Sequence, residues 1–383
     1  MALPISRRGR TYVRTEAAYG VAEVLASTDA MRHVELGITY DPFQRVTSPE
    51  KKDSPGPVNR FDRRTMANLA TLNALLRPSG VLNTLGEGDE ILTAGFGAKT
   101  NVTLSTTVNA GTGAVGGATL ASAAGLVVGD GLSILVAGKR YLRKIVTLPG
   151  GGVVTWAPNL PSAPADGAAV DGIITYKLTT SLSISLVIAH YLFSNNFSRE
   201  LRGVGIDQLQ LAFDGTEEAR LIASGPAQRQ ITPAQAIPAS FTTVGGNPPT
   251  GMVGELRIGN AVYLHKMLEI NIANAVIVRN EEAGNDGLAT EVFRNGRREI
   301  TLSLEAFAET EATLYDLAEA GTNVSVFRQN GWTSGNIVAA YLPLVEFKVP
   351  ETSDEDEATN WAFTATALES VDGANDELTL MVG

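Results

Sequence analysis

With 383 residues, 44% of them apolar and 19% charged, the chain is long enough to bury one large core, and its composition excludes global disorder. A net charge of −11 argues against a protein that grips nucleic acid through a basic face. Cysteine is absent, which excludes disulfides, thiolate metal sites and cysteine nucleophiles.

The opening MALPISRRGRTYVR is basic but is followed by no apolar segment, so it does not read as a secretory signal. A short helix is expected near residues 21–25 and a strand over 33–40. SPEKKDSPGP, residues 48–57, holds three prolines and reads as a loop. Residues 60–74 suit a strand or a helix, Arg77-Pro78-Ser79-Gly80 makes a turn, and 89–96 reads as a helix stopped by glycine. From 101 to 177 the composition shifts to Gly, Ala, Thr and Val. Strands are expected there at 102–108, 131–136, 141–146 and 153–157, and the stretch reads as a small all-β module.

Residues 176–193 alternate as one strand with a buried face, and strands recur at 204–213 and 219–224. Two further alternating runs, 268–278 and 297–307, flank a polar stretch and predict a hairpin with a long connection. Residues 309–320 give the strongest helix signal, with acids in the first turn and Gly321 as the stop. Strands at 341–349 and 361–368 bracket the acidic run SDEDE. No window approaches 18 uninterrupted apolar residues, so no membrane span is expected. Strands with few helices between them point to a mainly β sandwich or barrel with one or two flanking helices.

Catalytic, cofactor and metal signals are weak. His33, His190 and His265 are isolated in sequence, and no G-x-S-x-G elbow occurs. Gly111, Gly113 and Gly116 spell G-x-G-x-x-G, but Asp130 comes too soon for a ribose-binding acid and strands follow, so a glycine turn is expected. Lys139, Arg140, Arg143 and Lys144 read as a solvated strand face, and SDEDE reads as a solvated acidic loop rather than a cation site. Charge is polarised along the chain: residues 1–64 sum to +3 and residues 341–383 to −9. A subunit stacking head to tail could use this polarity, with Arg7, Arg8, Arg10 and Arg14 on one side and Asp354, Glu355, Asp356 and Glu357 on the other.

Three blocks carry a family resemblance. Glu16-Ala-Ala-Tyr19-Gly20 forms E-x-x-Y-G, followed by a Thr28-Asp29-Ala30 turn. The block Leu75-Leu-Arg-Pro-Ser-Gly80 precedes Gly88 through Gly97, which ends in A-x-F-G. Arg298-Glu-Ile-Thr-Leu, Gly331 to Pro343, and Ala374-Asn-Asp-Glu377-Leu close the chain. In this order they resemble the tail tube proteins of long-tailed bacteriophages. That resemblance implies two packed β-sheets with a flanking α-helix, formed by residues 1–100 and 178–383; residues 101–177 depart from a minimal tube subunit and are expected to be a small β module inserted on the outer surface of the tube, since a closed ring tolerates additions only where no neighbour packs. It implies a structural virion protein rather than an enzyme, with no cofactor. Its copies would form hexameric rings stacked head to tail around a tape-measure protein, and would meet tail-tip and tail-terminator proteins. DNA would pass through the lumen without specific binding during ejection, and assembly would occur in the host cytoplasm. Two other readings remain: another tail ring component (a hub or terminator), and a carbohydrate-binding β-sandwich. The latter would gather aromatic rings, whereas Trp156, Trp332 and Trp361 are scattered.

Overall fold

The computed structural model describes residues 9–41, 43–47, 60–192, 197–233, 235–279, 287–307, 312–350 and 360–383. Short runs that alternate polar and apolar residues dominate it. In Gln208–Asp214, Leu209, Leu211 and Phe213 are buried, and in Met267–Ala273 the buried residues are Leu268, Ile270 and Ile272. Each run offers one apolar face, which is stable only when packed against another.

Among the described residues, fourteen strands satisfy this need in one antiparallel sheet. Its main path runs Ala261–Tyr263, Gly254–Ile258, Val324–Asn330, Val338–Phe347, Asn360–Leu368, Glu299–Phe307, Met267–Ala273, Gln208–Asp214, Arg220–Ala227, Ala67–Leu75, Glu35–Thr39. The sheet forks at Val338–Phe347. Residues 338–341 pair with Thr379–Val382, whereas 344–347 pair with 365–368 of the next strand. Beyond Thr379–Val382 lie Ile174–Leu178 and Gly97–Asn101. The fork therefore makes two arms, and both send side chains into one core. Leu256, Val326, Ala340 and Leu380 come from the first arm, and Leu69, Leu211, Ile270 and Leu302 from the second. The arms are thus the two packed layers of a β-sandwich.

A five-stranded sheet, in the order Arg229–Ile231, Phe197–Val204, Leu186–Leu192, Arg10–Thr15, Ala30–Met31, adds Val13, Ile188 and Leu201 to this core. Its other face packs Tyr12, Val187 and Tyr191 beneath Ile237 and Phe241. Helix α1, Asp89–Phe96, buries Ile91, Leu92 and Phe96 in the main core and stops at Gly97, whose φ is +99°. Helix α2, Ala312–Glu319, contributes Leu314 and Ala318.

Between Gly97–Asn101 and Ile174–Leu178 a second, six-stranded sheet is built from residues 105–172. It has its own core of Leu132, Ile134, Ile145, Val154, Trp156 and Val170. The flanking strands pair with each other, Asn101 opposite Ile174, so the chain leaves and rejoins the large sheet at adjacent points. The small sheet sits on the outer face of the first arm, where Leu142 and Ile173 pack against Phe327, Ala339, Tyr341 and Met381.

Three sequence expectations fail for physical reasons. The run expected over 268–278 is two strands, Met267–Ala273 in the large sheet and Val276–Arg279 in a two-stranded sheet, because the chain turns at Ala275, whose φ is +53°. Residues 21–25 form no helix; Leu25 is buried while Val21 and Val24 are exposed, so no helical apolar stripe exists, and a 3-10 turn follows at Ser27–Asp29. The single strand expected over 176–193 is two strands, Ile174–Leu178 and Leu186–Leu192, in different sheets. Its alternation persists through the crossover because Leu182 and Ile184 still point into packed clusters. The helix expected over 309–320 is observed as Ala312–Glu319, and 308–311 lie outside the described residues.

The Arg77-to-Gly80 turn is locked by glycines. Gly80 N–H donates to Gly335 O at 2.8 Å, and Arg77 Nη1 donates to Gly246 O at 3.0 Å. A Cβ on Gly246 would lie 2.1 Å from Pro78 O and 2.5 Å from Gly80 N, with backbone on both sides that has no room to yield. Gly246→Ala is therefore expected to cost about 1–3 kcal/mol or more, read as a lowered urea midpoint at unchanged slope.

Candidate functional site

The outer face of the second arm is the broadest polar surface that the fold positions regularly. Register aligns its residues in rows across the strands. One row is Gln210, Asn271, Thr301, Thr366; the next is Ala212, Glu269, Ser303, Thr364; a third is Asp214, Met267, Glu305, Ala362. Gln208, Ala273 and Glu299 begin a fourth. These rows hold four carboxylates and no aromatic ring; the second row continues at its ends to Arg220, opposite Ala212 and paired with Glu217 at 2.5 Å, and to Lys348, whose N–H donates to Thr364 O at 2.9 Å. Asp214 accepts the N–H groups of Thr216 (2.7 Å) and Glu217 (3.2 Å), bonds that hold its pKa below the usual value and keep it charged. Lys266 stands at the margin, 3.8 Å from Glu305, in an exposed pair that contributes little. Chemically the face is hydrated and acidic, and it repels polyanions.

The opposite outer face, on the first arm, is covered, and here the sequence reading of a solvated basic strand is corrected. Arg143 is fully buried. Its Nη2 donates to Glu255 at 2.7 Å, and its guanidinium carbon lies 5.3 Å from the ring centre of Tyr141 and 4.8 Å from that of Phe327. Burial pushes its pKa down to about 10, and Glu255 opposes that shift. Glu255 also accepts from Arg257 at 2.9 Å. Arg140 pairs with Asp171 at 2.5 Å and Lys144 with Asp376 at 3.3 Å. Gln329 completes the joint, accepting from Leu142 N–H at 2.8 Å and donating to Arg140 O at 2.8 Å. Of the four basic residues only Lys139 is exposed, over the Trp332 ring. Local sequence does not disclose this pattern because the acids that pair with Arg140, Arg143 and Lys144 are distant in sequence.

Of the candidate stacking charges, Arg10 and Arg14 fall among the described residues. Arg10 opens a strand opposite Tyr191, and Arg14 is engaged by its own chain, donating to Val24 O at 2.9 Å and lying 3.4 Å from Asp29. Arg7, Arg8, Asp354, Glu355, Asp356 and Glu357 lie outside the described residues.

The E-x-x-Y-G segment is a folding device. The buried Glu16 carboxylate accepts Gly20 N–H (2.8 Å), Gly203 N–H (2.8 Å) and the Ser185 hydroxyl (2.6 Å), and burial raises its pKa against those bonds. A Cβ on Gly203 would lie 2.8 Å from the Tyr19 ring, so glycine there lets the ring close over the carboxylate. Burial, reinforced by Glu16, raises the Tyr19 pKa.

The histidines are less isolated than their spacing suggests: the rings of His33 and His190 meet edge to face at 5.5 Å, and Thr11 Oγ1 lies 2.9 Å from His190 Nδ1. Burial lowers the pKa of both. His265 is pushed down to about 3 by burial and by Arg328. Among the described residues no three His, Asp or Glu side chains converge as a metal site. Gly116 leads into the strand Gly117–Thr119, not a helix. Each tryptophan packs on its own chain: Trp156 is buried in the small core, Trp332 lies against Tyr141, and Trp361 lies against Tyr315 and Phe363.

A family model described as phage tail tube protein matches residues 92–365, well over half the chain. The matched span includes the six-stranded sheet and the polar rows except Thr366, and leaves the E-x-x-Y-G segment outside. No curated protein matches the chain.

Proposed function

This chain belongs to the phage tail tube protein family, and from that premise we propose that six copies close into a ring whose channel is lined by the polar rows of the second arm. Membership makes the chain a structural component of the phage tail that assembles with itself into a tube. The proposed rings stack head to tail around a tape-measure protein, start on a tail-tip complex and end at a terminator. They are built in the host cytoplasm and later conduct DNA during ejection.

The observation that carries this reading is the set of four carboxylates, Asp214, Glu269, Glu299 and Glu305, on one ring-free face whose cations, Arg220, Lys266 and Lys348, stand at its margins. DNA binds proteins by exchanging condensed counterions for lysines and arginines. A wall that offers carboxylates instead gives a passing duplex nothing to hold, and the duplex slides. With that face inward, the other arm faces outward, and the six-stranded sheet upon it stands on the outside of the tube. This also supports treating 101–177 as a module inserted into a tube domain formed by 1–100 and 178–383.

Negative-stain electron microscopy of the purified chain, mixed with its cognate tail-tip complex, tests the proposal. Hollow six-fold tubes studded on the outside are expected. Failure to polymerise on the tip complex would overturn it.

A further inference from the structure

The chain contains two Asn-Gly steps, Asn295-Gly296 and Asn330-Gly331, and the fold treats them differently. At such a step the main chain can attack its own side chain, because glycine has no Cβ to shield its nitrogen. The attack also needs an N–H that is not committed to an acceptor, a side chain free to swing, and access for water.

Asn330 meets none of these conditions. It ends the strand Val324–Asn330, paired with Gly254 on one side and Val338 on the other, and it is fully buried. Gly331 N–H is committed to Val253 O at 2.7 Å. Asn295 meets all of them. It lies between Glu291–Arg294 and Glu299–Phe307, outside both ladders, and both Asn295 and Gly296 are exposed. Asn295 N–H donates to Ala275 O at 3.0 Å, which fixes the turn, whereas the Asn295 side chain and Gly296 N–H bond to no group among the described residues. Three arginines flank the step. Arg294 donates to Thr179 O at 2.7 Å and Arg298 to Glu377 at 2.6 Å, while Arg297 is exposed. With Gly296 they line an open cavity of about 740 Å³. Positive charge beside the main-chain nitrogen favours its deprotonated form.

We propose that Asn295 is a deamidation site, at which the chain modifies itself, and that Asn330 is protected by the fold. The inference does not rest on the tube reading. Hydroxide removes the Gly296 N–H proton, and the nitrogen attacks Asn295 Cγ. The new N–Cγ bond forms, the Cγ–Nδ2 bond breaks, and Nδ2 leaves as ammonia after taking a proton from water. Water then opens the cyclic imide at either carbonyl and leaves aspartate or isoaspartate. The sum is amide plus water giving carboxylate plus ammonium, with no change of oxidation state. The product places a new negative charge among Arg294, Arg297 and Arg298, and the isoaspartyl form also lengthens the main chain just before Glu299, which begins the fourth polar row.

The test is to hold the purified full-length chain at mildly alkaline pH and to sample it over time. Peptides cut at glutamate are mapped by mass spectrometry, with fragmentation to assign the residue that shows the mass gain of an amide-to-acid exchange. In the folded chain Asn295 is expected to convert faster than Asn330 by about tenfold or more. In urea, where the fold no longer separates them, the two should convert at similar rates. Asn295→Gln, whose longer side chain closes an imide far more slowly, should silence its peptide while circular dichroism melting matches the parent. A folded chain in which Asn295 stays intact, or converts no faster than Asn330, would overturn the site. A difference that persists unchanged in urea would assign it to local sequence and overturn the protection of Asn330 by the fold. A mass gain that persists in the Asn295→Gln peptide would place the reaction elsewhere and overturn the assignment.

Discussion

Glu255→Ala is expected to lower the unfolding free energy by about 3–5 kcal/mol, because it leaves buried positive charge without a partner. The Glu255 carboxylate is shared, taking Arg143 at 2.7 Å from the small sheet and Arg257 at 2.9 Å from its own strand. Neither guanidinium has a route to water; Arg143 is fully buried and Arg257 nearly so. Arg143 donates also to Leu142 O and Asn159 O, and Arg257 to Asn260 O, but carbonyls do not neutralise a charge. Arg143 belongs to the six-stranded sheet and Glu255 to the large one, so the defect falls on the joint between them. Chemical unfolding of the variant checks the magnitude. The triple variant Arg143→Met, Glu255→Leu, Arg257→Met separates charge from packing: it should recover most of the loss, since apolar side chains of similar volume fill the same space without desolvated charge, whereas the double variant Arg143→Met, Glu255→Leu should recover only the part that falls on Arg143, because Arg257 still lacks its carboxylate. Lys139→Ala, on the exposed end of the same strand, should stay within about 0.5 kcal/mol of the parent.

That contrast marks what the sequence could and could not convey. Alternation reports burial of one face, so Gln208–Asp214, Met267–Ala273 and Glu299–Phe307 were legible as strands, and the latter two as a pair. Helix α1 was legible to the residue because Gly97 stops it. Alternation does not report which sheet a strand joins. Residues 181–185 keep the period while pairing with nothing regular, and Val338–Phe347 serves three neighbours at once along its length. Nor could a basic run disclose its burial, since the acid that neutralises Arg143 stands 112 positions away. The polar surface was half legible. Glu269, Glu299 and Glu305 sit visibly on the polar phase of their strands, but only register shows that they share one face with Asp214 and that Arg220 stands at its margin.

If that face lines the channel, replacing Glu269, Glu299 and Glu305 together with lysine should leave tubes that assemble but conduct DNA poorly. All three side chains are at least partly exposed, so each exchange should change stability by no more than about 0.5 kcal/mol. The electrostatic effect is far larger because it repeats. Every ring would exchange a belt of carboxylates for ammonium groups, and the duplex would meet one belt after another along the tube. Each phosphate that finds a lysine releases a counterion, and binding then falls with salt by about 0.9 in log–log slope per contact. Fluorescence-followed DNA release from virions carrying the triple variant should accordingly slow by about tenfold or more at low ionic strength and recover as salt rises. Lys266, already 3.8 Å from Glu305, would lose its partner and add to the attraction. Lysines placed on the outward six-stranded sheet, at Val127, Val146 and Val153, give the matching control, since exposed charge on the outside of the tube cannot reach the duplex. Equal release rates for parent and triple variant at low salt would mean that DNA never touches these rows, and the channel would have to be lined by another face.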